Sequence, residues 1–233
     1  MKKLLVLPLF VLLLSYQTTP SVAITSYVAD LSKSEIKLFW KDDKGNRIGT
    51  LGNLKKHIET QNGKVVCLMN AGMFKKDFSP QGLFVENGKM LTVADNSDGV
   101  GNYYLHPNGR FYVTDKEYAF VCPTGNCVKR TDIAFATQSG PMLVIDGKLH
   151  PAFKQGSTNL NIRNGVGILP NGNVLLAITD KEINFYDFAM FFKNAGCKNA
   201  LYLDGFVSRA YIPSKKRYDL DGNFGPMIAV VEK

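Results

Sequence analysis

Four stretches set a polar residue and a glycine beside an apolar run that reads as a strand. Residues 65–69 lead into Asn70-Ala71-Gly72-Met73-Phe74, and residues 135–138 into Ser139-Gly140-Pro141. Asn161-Ile162-Arg163-Asn164-Gly165 opens onto Val166, and residues 200–203 run into Asp204-Gly205-Phe206-Val207-Ser208-Arg209. Strand ends are where α/β architectures present binding groups, and glycine lets backbone amides approach a ligand closely. Each stretch taken alone also reads as a turn capped by Asn, Asp or Ser. Four in one short chain, carrying a carboxylate, a guanidinium, amides and hydroxyls, point to a shared polar site.

For those ends to meet, the chain must turn back on itself often, and it carries the signals to do so. Asn-Gly or Asp-Gly pairs stand at 62–63, 87–88, 108–109, 146–147, 171–172 and 221–222. Several are flanked by apolar, β-rich runs, which predicts hairpins over 82–93, 141–149 and 166–178. Two segments predict helices. In 48–61, Ile48, Leu51, Leu54 and Ile58 recur at helical spacing, with Asn62-Gly63 to end it. In 184–194, Phe185, Phe188, Ala189 and Phe192 share a face, Asn184 can cap, and Gly196 lies beyond the end. No Pro/Ser-rich linker divides the chain. The pattern predicts α+β, a single domain with a mixed, hairpin-rich β-sheet and few helices.

The first residues predict export. Lys2 and Lys3 precede an apolar run over 4–14, and Ser21-Val22-Ala23 sets small residues where a signal peptidase reads, so 1–23 is expected to be removed and 24–233 to remain. The apolar run is short for a bilayer span, which takes about 20 residues, and no cysteine follows it, so no stable membrane anchor is expected after cleavage. Lys and Arg number 28 against 20 Asp and Glu. The leader holds two of those lysines and no acid, leaving a formal +6 on the remainder. Outside the cytoplasm that charge suits anionic partners such as phosphorylated glycans, anionic lipids or cell wall. The Lys pairs at 55–56, 75–76 and 215–216 are scattered and form no stripe interleaved with aromatics, so no nucleic acid is expected.

Cys122 and Cys127 bracket a turn-rich loop and are expected to form a small disulfide ring in an oxidising compartment. Cys67 and Cys197 pair with each other or stay as buried thiols; spacing does not decide. His57, His106 and His150 share no ligand spacing, and Asp219-Leu220-Asp221-Gly222-Asn223 lacks the closing Glu of a calcium loop, so neither metal nor other cofactor is expected. Glu86, at a hairpin turn, is expected to be solvent-exposed, and Trp40 to be packed.

Taken in order, the strand-end stretches resemble the phosphodiester glycosidase family. The matching motifs are Asn70-Ala71-Gly72-Met73-Phe74, Pro80-Gln81-Gly82-Leu83, Ser139-Gly140-Pro141, Arg163-Asn164-Gly165-Val166-Gly167, Thr179-Asp180 and Leu203-Asp204-Gly205-Phe206. They cover roughly residues 64–230. Ala71 stands for a usual Gly, Lys181 follows Asp180 where many members have Gly, and Phe206 replaces the second Gly of the last motif, with Ser208 one step late. These departures imply a bacterial, exported branch with its own substrate. The resemblance implies cleavage of a sugar 1-phosphodiester at the anomeric C–O bond, through an oxocarbenium-like transition state. On that reading Arg163 recognises phosphate, and Asp204 and Asp180 act as base, nucleophile or oxocarbenium stabiliser. Asn70, Gly72, Phe74, Ser139, Gly140, Asn164, Gly205 and Ser208 would line the substrate site. The alternative is a non-catalytic envelope protein binding phosphorylated glycans in the same pocket.

Overall fold

Two of the Asn-Gly and Asp-Gly pairs fold their strands back in the turn their chemistry favours. In the computed structural model, which describes residues 24–233, Asn87 and Gly88 have φ of 49° and 75°, and Asp146 and Gly147 have 48° and 77°. Two successive positive φ values make the primed turn whose twist matches paired strands. These turns join β4 (Phe84–Glu86) to β5 (Lys89–Thr92) and β9 (Met142–Ile145) to β10 (Lys148–Leu149). The expected export signal lies outside the described residues.

The described strands form three sheets. The first runs β1 (Ile24–Ala29), β12 (Val174–Thr179), β11 (Asn164–Ile168), β13 (Ala200–Tyr202), β9, β10. The second runs β15 (Arg217–Tyr218), β14 (Ala210–Ile212), β3 (Lys64–Asn70), β16 (Met227–Glu232), β2 (Ser34–Phe39). The third runs β5, β4, β8 (Ile133–Ser139), β6 (Gly109–Thr114), β7 (Ala119–Pro123). The α+β class, the hairpins and the few helices are as the sequence predicts. The sheet itself is resolved further: described pairs such as β11–β12, β16–β3 and β6–β8 are antiparallel, over three sheets rather than one mixed one. Periodicity places a strand, but the direction of a partner distant in sequence is set by packing.

One core joins the sheets. Leu38 and Met69 from the second, Phe84 and Phe111 from the third, and Val166, Leu176 and Leu201 from the first are all fully buried in a single cluster. The two α-helices cover outer faces. α1 (Leu51–Thr60) lays Leu51, Leu54 and Ile58 on the second sheet, and Thr50 caps it by accepting the Asn53 amide at 3.0 Å. α2 (Phe185–Asn194) lays Phe185, Phe188 and Phe192 on the first, each worth about 1.5–3 kcal/mol of apolar burial. Asn184 caps α2, accepting the Asp187 amide at 2.9 Å. Gly165 and Gly167 on β11 make room for this helix: a Cβ at Gly167 would stand 2.7 Å from Cys197 Sγ and 2.8 Å from Phe192.

Cys122 and Cys127 are disulfide-bonded, with Cα atoms 5.4 Å apart. Cys67 and Cys197 are free, buried thiols. Glu86 departs from expectation: it is half-buried, and burial pushes its carboxyl up to about 7 against a backbone hydrogen bond from Trp40.

Candidate active site

One residue from each sheet reaches the loop that follows β13. β3 ends at Asn70, β8 at Ser139, and β11 begins at Asn164. The Asn164 side chain accepts the Asp204 amide at 2.8 Å and donates to Asn70 O at 2.8 Å. Asn70 in turn donates to Asp204 O at 3.3 Å and accepts the Arg209 amide at 3.0 Å. Ser139 Oγ donates to Leu203 O, and Ser208 Oγ donates to Asp204 O and, at 3.1 Å, to Gly205 O. Asn70, Ser139, Asn164 and Ser208 are all essentially inaccessible. Their side chains are thus committed to the backbone of the 203–209 loop, and they form its frame.

That frame leaves the Asp204 carboxyl in a low-dielectric position. Burial pushes it up to about 7, opposed by backbone hydrogen bonds from Gly205 and Phe206. A carboxyl out of water resists ionising, and one that titrates near neutrality can give or take a proton there.

Arg163 is fully buried. Nε donates to Ile183 O at 2.7 Å, Nη2 to Asn159 O at 2.8 Å and Asn159 Oδ1 at 3.1 Å, and Nη1 to the Tyr202 hydroxyl at 3.4 Å. The guanidinium lies 3.6 Å over the Phe185 ring, a close cation–π pair. None of these partners is a carboxylate, and desolvation pulls the Arg163 pKa down. Tyr202 carries the link onward: its hydroxyl occupies the space a Cβ on Gly205 would need. Arg163, Tyr202, Gly205 and Asp204 are therefore in sequence through space. Tyr202 and Phe185 were not among the sequence candidates. The available signal was a tyrosine, the one polar side chain in the strand that delivers Asp204.

Asp180 is exposed. It accepts from Thr25 Oγ1 at 2.9 Å and from Arg217 Nη1 at 2.6 Å. Arg217 also donates to Asp219, whose carboxylate takes the Ala210 amide at 3.1 Å. Through that chain of partners Asp180 is linked to Ala210, just past the Asp204 loop. Gly72 and Gly140 answer to packing. A Cβ on Gly72 would stand 2.6 Å from Gln138 O, and one on Gly140 would stand 2.6 Å from Asn108 Cβ. Phe74 stacks on Phe78 at 5.7 Å. Phe206, at the loop tip, is 90% exposed. Among the described residues no group of three or more His, Cys, Asp or Glu is placed to hold a metal ion.

A fold of three sheets around one core has known counterparts. The chain belongs to the phosphodiester glycosidase family, whose model matches residues 63–226. It is 34% identical over 194 residues to the uncharacterized protein YigE of Escherichia coli K12, covering 83% of this chain and 76% of that one. The catalytic domain of zebrafish N-acetylglucosamine-1-phosphodiester alpha-N-acetylglucosaminidase, auto-inhibited by its pro-peptide, has the same fold, with a TM-score of 0.63 at 14% identity. That match covers 94% of this chain and 86% of the zebrafish domain. A Burkholderia pseudomallei K96243 protein whose name describes it as exported superposes with a TM-score of 0.58 at 11% identity, covering 89% and 73%. Membership marks the chain as a relative of glycosidase-type hydrolases.

Proposed function

We infer that this protein is an exported hydrolase that cleaves a sugar 1-phosphodiester at the anomeric C–O bond. The observation that carries the reading is Asp204: side chains from all three sheets hold the backbone of its loop, and burial pushes its carboxyl up to about 7. Ionised, it takes a proton from the water that attacks the anomeric carbon. The C1–O bond to phosphate breaks, its electron pair leaves with the phosphate, and the developing oxocarbenium faces a carboxylate. Arg163 supplies positive charge from behind Tyr202, since its enclosed guanidinium does not meet solvent. Export is supported by the leader-like pattern of 1–23, the Cys122–Cys127 disulfide and the fold shared with a protein named as exported.

A second reading has an observation in its favour. Asp180 is occupied by Arg217, and the hydrogen bonds described set no second carboxylate against Asp204, as a non-catalytic binder of phosphorylated glycans would allow. Turnover of a panel of sugar 1-phosphodiesters in ¹⁸O-labelled water separates the readings. Label in the sugar supports C–O cleavage; label in phosphate means P–O cleavage; binding without turnover leaves the binder.

A further inference from the structure

Side chains alternate across a strand, so Ser139 on β8 faces the Asp204 loop while Gln138 faces the opposite way. There Gln138 donates to Asp95 O at 2.6 Å and accepts the amides of Leu83 and Asp95. In register, Arg110 on β6 stands opposite Gln138 on one side and Cys122 on the other. Arg110 therefore shares the outer face of the third sheet, while its neighbour Phe111 lies in the common core. Neither α1 nor α2 covers this face.

Arg110 separates two hollows. One, of about 430 Å³, is the more polar of the two, with Asn96, His106, Asn108 and Thr124 in its wall. The other, of about 470 Å³, is mostly apolar, with Leu83, Val85, Met90 and Ile133. Both volumes fall in the range of roughly 300–1,000 Å³ usual for small-ligand sites. No carboxylate lines either. The disulfide ring is their common wall, giving Thr124 and Gly125 to the polar hollow and Cys127 to the apolar one.

Four buried side-chain polar atoms among the described residues lack a hydrogen-bond partner, and two belong to residues in the wall of the polar hollow: Asn108 Oδ1 and Arg110 Nε. Asn108 is 1% exposed, and its other polar atom, Nδ2, is already bonded to Tyr103 O at 3.1 Å. Buried polar groups are nearly always paired, so two unpaired ones on residues that line one hollow ask for a ligand that pairs them. Desolvation lowers the Arg110 pKa, and the charge felt in opposition is that of Tyr103 rather than of any acid.

The inventory narrows the ligand. Arg110 Nε is a donor and needs an acceptor, best an anion. Asn108 Oδ1 only accepts and needs an O–H or N–H. Thr124 offers both. A neutral sugar satisfies Asn108 and leaves the guanidinium unpaired, while a bare carboxylate does the reverse. We propose that the polar hollow beside Arg110 binds a sugar acid, a carboxylate borne on a hydroxylated ring, as in a hexuronate. The guanidinium takes the carboxylate and Asn108 takes the hydroxyl proton. The site is distinct from Asp204, on the other face of β8, and does not depend on the activity inferred there.

The test titrates the folded protein with D-glucuronate, its methyl glycoside, D-glucose, acetate and inorganic phosphate by calorimetry, and maps hydrogen exchange. Glucuronate or its glycoside should bind saturably and protect residues 106–110 and 124–127. Glucose and acetate should bind at least about tenfold more weakly, because each leaves one buried group unpaired. Binding of the glycoside indicates a chain-end residue as ligand; binding of the free acid alone indicates the monosaccharide. Arg110→Gln should abolish glucuronate binding and leave sugar-phosphodiester turnover unchanged. Should that variant fail to fold, the exchange map on the wild type still decides. No saturable glucuronate binding, equal affinity for acetate or phosphate, binding that survives Arg110→Gln, or protection at residues 203–209 instead would each overturn the proposal.

Discussion

The side-chain carbonyl of Asn164 takes the backbone amide of Asp204 at 2.8 Å, while its amide nitrogen donates to Asn70 O at the same distance. Asn164 is fully buried, so no water stands ready to replace it. Asn164→Ala therefore strands one donor and one acceptor, each costing about 1–3 kcal/mol. Urea denaturation should show a loss of about 2–6 kcal/mol. A variant as stable as wild type would show that the frame adds nothing.

Asp204→Asn keeps the size and accepting oxygen of the side chain and removes its proton chemistry. Turnover should fall by a factor on the order of 100 or more, with the circular dichroism spectrum unchanged. In the wild type, activity should climb as pH rises through about 7 and level off above it, because the ionised carboxyl is the base. A rate that declines through that range would assign Asp204 the acid's role instead.

The same carboxyl should make the fold less stable as pH rises. Its folded pKa of about 7 lies above its ordinary value of 3.8, so the native state holds more protons than the unfolded chain between those values. Stability from this group is full below about 3.8 and is lost as pH rises to about 7, with an upper bound of about 4 kcal/mol. Glu86 acts with the same sign, so the informative measurement is a difference. Asp204→Asn should be more stable than wild type at pH 8 and not at pH 4. Equal melting temperatures at both pH values would mean that the carboxyl is not desolvated.

The sequence makes these elements legible to an uneven degree. Asn87-Gly88 and Asp146-Gly147 announce their hairpins because the turn needs two positive φ values. The phenylalanines of 185–192 announce α2 because a helix must bury one face. Asn70, Ser139, Asn164 and Asp204 stood out as strand-end residues, and the structure joins them. Their division of labour was not readable, since an asparagine that binds a ligand and one that binds a loop look alike in one dimension. Tyr202 was hidden in an apolar run, and Arg217, the partner of Asp180, lies 37 positions away. Arg163 drew notice as a cation, but its enclosure by Phe185, Tyr202 and Asn159 depends on three separate segments.

Tyr202→Phe isolates the link between Arg163 and the loop. The ring that stacks edge-on against Phe185 at 4.8 Å remains, and only the hydroxyl is lost. The bond removed is long, 3.4 Å, so stability should change by no more than about 1 kcal/mol. If the hydroxyl positions Gly205, kcat should fall several-fold with KM little changed. An unaltered kcat would confine Tyr202 to packing.

Phe206 offers the cleanest separation of substrate binding from folding. It is 90% exposed at the tip of the loop that holds Asp204, and no backbone requirement explains an aromatic ring there. Replacing it by Ala should leave stability within about 0.5 kcal/mol, as for surface substitutions generally. If the ring stacks on the sugar or its phosphate-linked partner, Phe206→Ala should raise KM and leave kcat near the wild-type value, the signature of lost uniform binding. A fall in kcat at constant KM would place the ring instead in holding the Asp204 loop. Unchanged kinetics on every phosphodiester that is turned over would exclude it from the substrate's path.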